Sequence, residues 1–124
     1  MNILIHNGRV IDPANQRDEM ADIYIIDNTI AAIGDAPKKF RADQTIEASN
    51  LWVIPGLVDL AAHLREPGQT QKADIASETR AACRAGITTL CVLPDTHPVI
   101  DEPAVVELIF RKAKQSGHSK VVAL

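Results

Sequence analysis

The residues with the most chemical potential stand in one short run of the chain. His63, Arg65 and Glu66 follow an apolar stretch and are closed off by Pro67 and Gly68. Their side chains are of the types that bind metals, hold anions and exchange protons. The run therefore marks the first place to look for a functional site.

A β-strand predicted over residues 57–64 would place this cluster. Side chains two positions apart in a strand face the same side, so positions 59, 61, 63 and 65 would line one face. Arg65 and Glu66 would then lie at the carboxyl end of the strand. In parallel β/α barrels that end carries the active site.

Plainer interpretations remain open for the same residues. A lone His at a strand end is often structural or solvated, and Arg65 and Glu66 can form a surface ion pair in a turn. His97 follows a predicted strand, and His6 and His118 stand beside turn glycines. We interpret these three as loop or solvated residues without a functional role.

Strands and helices alternate in the second part of the chain, which predicts right-handed crossovers and a parallel sheet. Helix starts and stops come from an N-cap Asp, a Pro in the first turn and Gly after the last turn. The predicted elements are a strand over 57–64, a helix from the N-cap Asp74 to Gly86, a strand over 87–93, a helix from Pro103 to about Gln115 that is ended by Gly117, and a strand over 120–124.

The first part of the chain is short-stranded and rich in turns. Asn7-Gly8 between apolar runs predicts a hairpin, because both residues tolerate positive φ. Asp27-Asn28 predicts a second tight turn, and 45–48 and 52–54 are further strand candidates. We therefore predict a small antiparallel β unit over residues 1–54 and the first β/α units of a barrel over residues 55–124.

Composition excludes several classes of function. The net charge of −3 and the 3% of aromatic residues argue against a nucleic-acid or anionic-membrane surface. The start lacks a secretory pattern, and the most apolar stretch, 51–62, is interrupted by Pro, Gly and Asp, so we expect a cytoplasmic protein without a membrane span. Cys83 and Cys91 are expected to be reduced, buried thiols. Because the sequence stops on a strand just begun, we expect a piece of a longer gene product.

Three motifs in order resemble one family. The run from Pro55 to Asp59, followed by His63-Leu64-Arg65-Glu66-Pro67-Gly68, resembles the first barrel strand of dihydroorotases, in the amidohydrolase superfamily. That family reads Pro-Gly-x-x-Asp-x-His-x-His-x-Arg-x-Pro-Gly. Residues 86–89 and 94–101 resemble its second strand and following loop, and residues 7–13 resemble its amino-terminal β unit.

The resemblance implies a fold, a reaction and roles for individual residues. The fold would be the amino-terminal part of a (β/α)₈ TIM-like metal-dependent hydrolase barrel, preceded by a small β-sandwich unit. The family reaction is the zinc-dependent, reversible cyclisation of carbamoyl-aspartate to dihydroorotate in pyrimidine biosynthesis. By resemblance, His63 is the second His of the metal pair and Arg65 contacts the substrate carboxylate. Asp95 stands where the family usually has an Asn that helps to hold that carboxylate.

Two departures from the family pattern bear on activity. Ala61 occupies the position of the first metal-binding His, and a methyl group cannot ligate zinc. Asp95 would repel a carboxylate substrate, and could instead pair with Arg65. We therefore expect a degraded zinc site, with His63 a vestigial ligand, Arg65 and Asp95 vestigial substrate contacts, and no cofactor unless the site functions after all.

Three hypotheses of function remain. The first is a catalytically inactive dihydroorotase-like protein that acts as a structural subunit with the aspartate transcarbamoylase catalytic chain, as a homo-oligomer. The second is an active zinc-dependent dihydroorotase or cyclic amidohydrolase. The third is a metal-free binding module with Arg65 as its anchor.

Overall fold

Two units make up the chain in the computed structural model, which describes residues 1–123. They are Met1–Pro55 and Gly56–Leu124. The predicted strand over 120–124 therefore reaches one residue, Leu124, beyond the described part.

The first unit is built on one mixed sheet. Its strands are β1 (Asn2–Asp12), β2 (Arg17–Ile26), β3 (Thr29–Ile33), β4 (Gln44–Glu47) and β5 (Trp52–Val53). The order is β3-β2-β1-β4, and β5 also pairs with β1. β1–β2 and β2–β3 are antiparallel, whereas β4 and β5 run parallel to β1. The prediction of a purely antiparallel unit is therefore wrong.

Asn7-Gly8 is not a hairpin turn. β1 continues through both residues, and its register with β2 shifts between Ile5 and Gly8 while Asn7 adopts a φ of 60°. A Cβ at Gly8 would lie only 2.5 Å from the side chain of Val53. The permissive pair is thus used for a bulge and a close strand approach, not for a turn. The chain reverses instead at a 3₁₀ turn, Pro13–Asn15.

The second predicted turn of this unit is confirmed. Asp27 and Asn28 join β2 to β3 and have φ angles of 47° and 65°. Positive φ at both central residues is the geometry that matches the twist of a two-residue hairpin.

The second unit has the predicted β-α-β-α-β order. Its elements are β6 (Leu57–Ala62), α1 (Ile75–Arg84), β7 (Ile87–Val92), α2 (Pro103–Ser116) and β8 (Lys120–Ala123). The three strands form a parallel sheet in the order β6-β7-β8. β6 ends at Ala62, two residues earlier than predicted. No helix within residues 1–123 is long and apolar enough to cross a membrane.

The helix ends follow the chemistry predicted for them. The Asp74 side chain accepts a hydrogen bond from the Ser77 amide at 2.7 Å, and the Asp74 amide donates to the Ser77 hydroxyl at 3.1 Å. The bond from the Ser77 amide favours the carboxylate, so the pKa of Asp74 lies below its ordinary value. At the end of α2, Gly117 takes the left-handed conformation and donates to the Ala113 carbonyl.

The core of the second unit lies between the helices and the sheet. Ile109 of α2 and Val92 of β7 are fully buried, and Ile75 and Ala82 lie on the buried face of α1. The expectation of two buried thiols is half wrong: Cys91 is buried, but Cys83 is exposed. Cys83 follows Ala82 on the helix and therefore points away from the buried stripe.

Replacing Ile109 with Ala should destabilise this unit by about 2–5 kcal/mol, because it removes a fully buried side chain and leaves a cavity. The matched control is Phe110→Ala, since Phe110 is the next residue and is 41% exposed. Chemical denaturation measures both. Equal losses from the two variants would contradict the assignment of the buried face of α2.

Candidate functional site

The site residues follow two neighbouring parallel strands. We call residues 63–68, which follow β6, the first strand-end loop, and residues 93–98, which follow β7, the second strand-end loop. Parallel strands bring their carboxyl ends to one edge of a sheet. The two loops therefore meet, and the Leu93 amide donates to the Ala62 carbonyl at 3.2 Å.

Side chains alternate sharply along the end of β6 and into the first loop. Ala62 and Leu64 are buried in the core, with Leu64 only 2% exposed. Ala61 and His63 are exposed. Both side chains are therefore accessible at the carboxyl end of β6, where the sequence predicts the site.

His63 contacts Asp95 of the second loop. Its Nδ1 atom lies 2.5 Å from Asp95 Oδ2, and the two side chains are 46% and 41% exposed. Asp95 therefore pairs with His63 and not with Arg65, the partner considered from the sequence. His63 directly follows β6 beside β7, whereas Arg65 lies two residues further on, where the chain turns.

Arg65 is held in an unusual backbone conformation. Its φ is 64°, in the left-handed region that non-glycine residues seldom adopt, and its carbonyl accepts from the Gln69 amide at 2.8 Å. Its neighbours Leu64 and Glu66 are both buried and fix the chain on either side. Strain of this kind persists where the surroundings over-determine it, as at binding sites.

Glu66 belongs to the scaffold and not to the exposed cluster. It is 7% exposed, accepts from the Ile75 amide at 3.0 Å at the start of α1, and forms an ion pair with Lys112 of α2. The expected grouping of Glu66 with His63 and Arg65 is wrong, as is a surface ion pair between Arg65 and Glu66. Position 66 is buried like positions 62 and 64, although the chain has left β6 and turns at Arg65.

His97 joins the two loops through its backbone. Its amide donates to the Pro67 carbonyl at 3.1 Å. Gly68 has a φ of 111°, and a Cβ there would lie 2.8 Å from three atoms of His97. The second loop therefore packs directly on the Pro67-Gly68 turn. This contact is not predicted from the sequence, because it is made by backbone atoms.

The other two histidines are engaged elsewhere. His6 Nδ1 lies 2.9 Å from Asp22 Oδ1 in the first unit, and His118 Nε2 accepts from Arg80 at 3.4 Å in the second. The Asn7 amide and His6 hold the pKa of Asp22 below its ordinary value. Each of these two histidines therefore makes a structural contact within its own unit.

Within the described residues, the strand ends hold an incomplete set of zinc ligands. Within residues 1–123, no group of three or more His, Cys, Asp or Glu side chains is placed to hold a metal ion. At the strand ends, one imidazole stands beside one carboxylate, and the third position is the methyl group of Ala61. A zinc ion needs at least three protein ligands, as in catalytic sites.

A family model and two curated relatives place the chain in one family. The family model described as "Dihydro-orotase-like" matches residues 51–124. The chain is 49% identical to a "Dihydroorotase-like protein" of Pseudomonas aeruginosa and 47% identical to a "Dihydroorotase" of Syntrophotalea carbinolica, over 98% of its length in both cases. It spans only 29% and 28% of those two relatives, so less than a third of their length is represented.

A solved structure supports the same fold. The chain is similar to the L-hydantoinase (dihydropyrimidinase) of Arthrobacter aurescens, with a TM-score of 0.79 and 25% identity over 91% of this chain and 25% of that one. A D-hydantoinase matches 99% of this chain with a TM-score of 0.69 and 28% identity. The predicted fold class, the amino-terminal part of a (β/α)₈ barrel preceded by a small β unit, is confirmed.

Glu66→Ala should destabilise the second unit by about 1–3 kcal/mol, because it leaves the Ile75 amide without its buried acceptor. Glu66→Gln should cost less, since its carbonyl can still accept that bond. The control is Glu107→Ala on the exposed side of α2. Thermal unfolding of the three variants measures the effect, and a Glu66→Ala variant as stable as Glu107→Ala would refute a scaffold role.

Proposed function

Because the chain belongs to the dihydroorotase-like family, we propose that it is a catalytically inactive member of that family in pyrimidine biosynthesis, a cytoplasmic structural subunit of aspartate transcarbamoylase. One observation carries the proposal: an exposed Ala61, next to the last residue of β6, stands in the sequence where the family has its first metal-binding His. The activity and partners of the whole protein are inferred here from the part that contains this strand.

The Ala at position 61 lacks a metal-binding group but leaves the neighbouring core residues in place. Ala62 and Leu64, on either side of His63, belong to the buried core of the second unit. Changes in groups that merely support a metal ligand cost about 10–100-fold in affinity, and loss of a ligand itself costs more. The retained His63 is engaged by Asp95. We therefore propose that the protein binds no zinc in this site.

The position of Asp95 also argues against the family's substrate. A carboxylate half exposed at the mouth of the site would repel the carboxylate of carbamoyl-aspartate, unlike the amide that the family usually has there. Arg65 alone would remain to attract the substrate.

The partnership is supported by what the chain retains. The core of the second unit is well buried, and among the described residues no buried side-chain nitrogen or oxygen lacks a hydrogen-bond partner. An intact scaffold with an altered site is the pattern that selection on assembly would leave. We propose that the partner is the aspartate transcarbamoylase catalytic chain and that the protein is itself a homo-oligomer.

Two rival functions rest on specific observations. Relatives named "Dihydroorotase" at 41–47% identity favour an active, zinc-dependent cyclic amidohydrolase. The strained Arg65 favours a metal-free module that binds an anionic ligand. Calorimetry with carbamoyl-aspartate and with dihydroorotate, on the wild type and on Arg65→Ala, separates the binding module from the structural subunit.

The full gene product should carry zinc far below one ion per chain after purification with zinc present, and should not turn over dihydroorotate. Ala61→His is the matched variant, and we expect it to raise zinc affinity at least about 10-fold because it restores a ligand. Elemental analysis and a spectroscopic assay make the measurement. Stoichiometric zinc with turnover in the wild type would establish the active enzyme instead.

Aspartate transcarbamoylase should co-purify with the full gene product and should lose its assembly and activity in a strain that lacks the gene. Complementation with an Ala61→His or Arg65→Ala variant should restore both, because neither change touches the buried scaffold. A transcarbamoylase that assembles and works normally without the gene would rule out the partnership.

A further inference from the structure

We propose that Asp95 takes the place of the metal as the partner of His63, so that the His63–Asp95 pair is a metal-independent link between the two strand-end loops. The inference rests on the proposed loss of the metal site, but not on the proposed partner protein. It assigns a present role to two residues that the family comparison alone would describe as remnants.

The geometry of the pair supports a built contact. His63 and Asp95 come from loops that follow adjacent parallel strands, and their Nδ1 and Oδ2 atoms lie 2.5 Å apart. Hydrogen bonds to a carboxylate are shorter and stronger than bonds between neutral groups. Within residues 1–123, this is the one hydrogen bond between the side chains of the two loops.

Few other bonds join the loops. The His97 amide donates to the Pro67 carbonyl, and the Leu93 amide donates to the Ala62 carbonyl at the end of β6. The pairing of β6 with β7 is itself irregular, with a register shift between Asp59 and Ala62. The side-chain link therefore lies just after a stretch where the strand ladder is irregular.

The two departures from the family pattern then form one coupled change. Without a ligand at position 61, His63 has no metal to share, and an exposed imidazole at a strand end is free to move. A carboxylate at position 95 gives it a charged acceptor, which the family's usual Asn does not. Ala61 thus removes the shared metal as a partner of His63, and Asp95 provides a new partner in its place.

Amide hydrogen exchange in the full gene product tests the link. Asp95→Ala should speed exchange at the His97 and Gln69 amides by about two- to tenfold, the range expected for loss of a single hydrogen bond. His63→Ala should have the same effect, and the double variant should show no further increase. Asp95→Asn, which keeps the size and an acceptor oxygen, should show a smaller increase.

The control is Asp101→Ala, because Asp101 is exposed and its side chain makes no hydrogen bond within the described residues. Unchanged exchange in Asp95→Ala, or effects of the two single variants that simply add, would overturn the link. Faster exchange in wild type after a chelator is added would show that a metal holds the loops, and would overturn both the link and the inactive site. Coupled loops in a protein that fails to bind transcarbamoylase would overturn the partnership alone.

Discussion

Burial of Ala62 at the end of β6, and of Leu64 and Glu66 in the first strand-end loop, governs the rest of the second unit. These three side chains are buried, whereas Ala61 and His63 beside them are exposed. A slip of one residue would expose Leu64 and bury the imidazole, which is costly on both counts. The core therefore decides where the site residues point, whether or not they bind anything.

Glu66 extends this constraint from the strand to the helices. Its carboxylate accepts from the first amide of α1 and pairs with Lys112 of α2, so one buried side chain ties the first strand-end loop to both helices. A substitution at the exposed positions 61 or 63 leaves these bonds untouched. The exposed residues of this region can therefore change while the fold is kept.

Local signals in the sequence are sufficient where the determining contacts are local. Asp74, Pro103 and Gly117 act within one or two helical turns, and the predicted helices form with nearly the predicted ends. Asn7-Gly8 fails as a predictor because the parallel pairing of β4 and β5 with β1, which is long-range, keeps the chain extended there. The His63–Asp95 contact is also long-range, since it depends on two strands that become neighbours only through a crossover helix.

Three carboxylates in and after the strands of the second unit are bound to other groups of the chain. Asp59 accepts from the Ala61 amide at 2.9 Å, Glu66 from the Ile75 amide, and Asp95 lies against His63. Each is committed to a bond within the chain, and two of the three bonds are to backbone amides. These three acidic residues thus stabilise the backbone and the loops of the second unit.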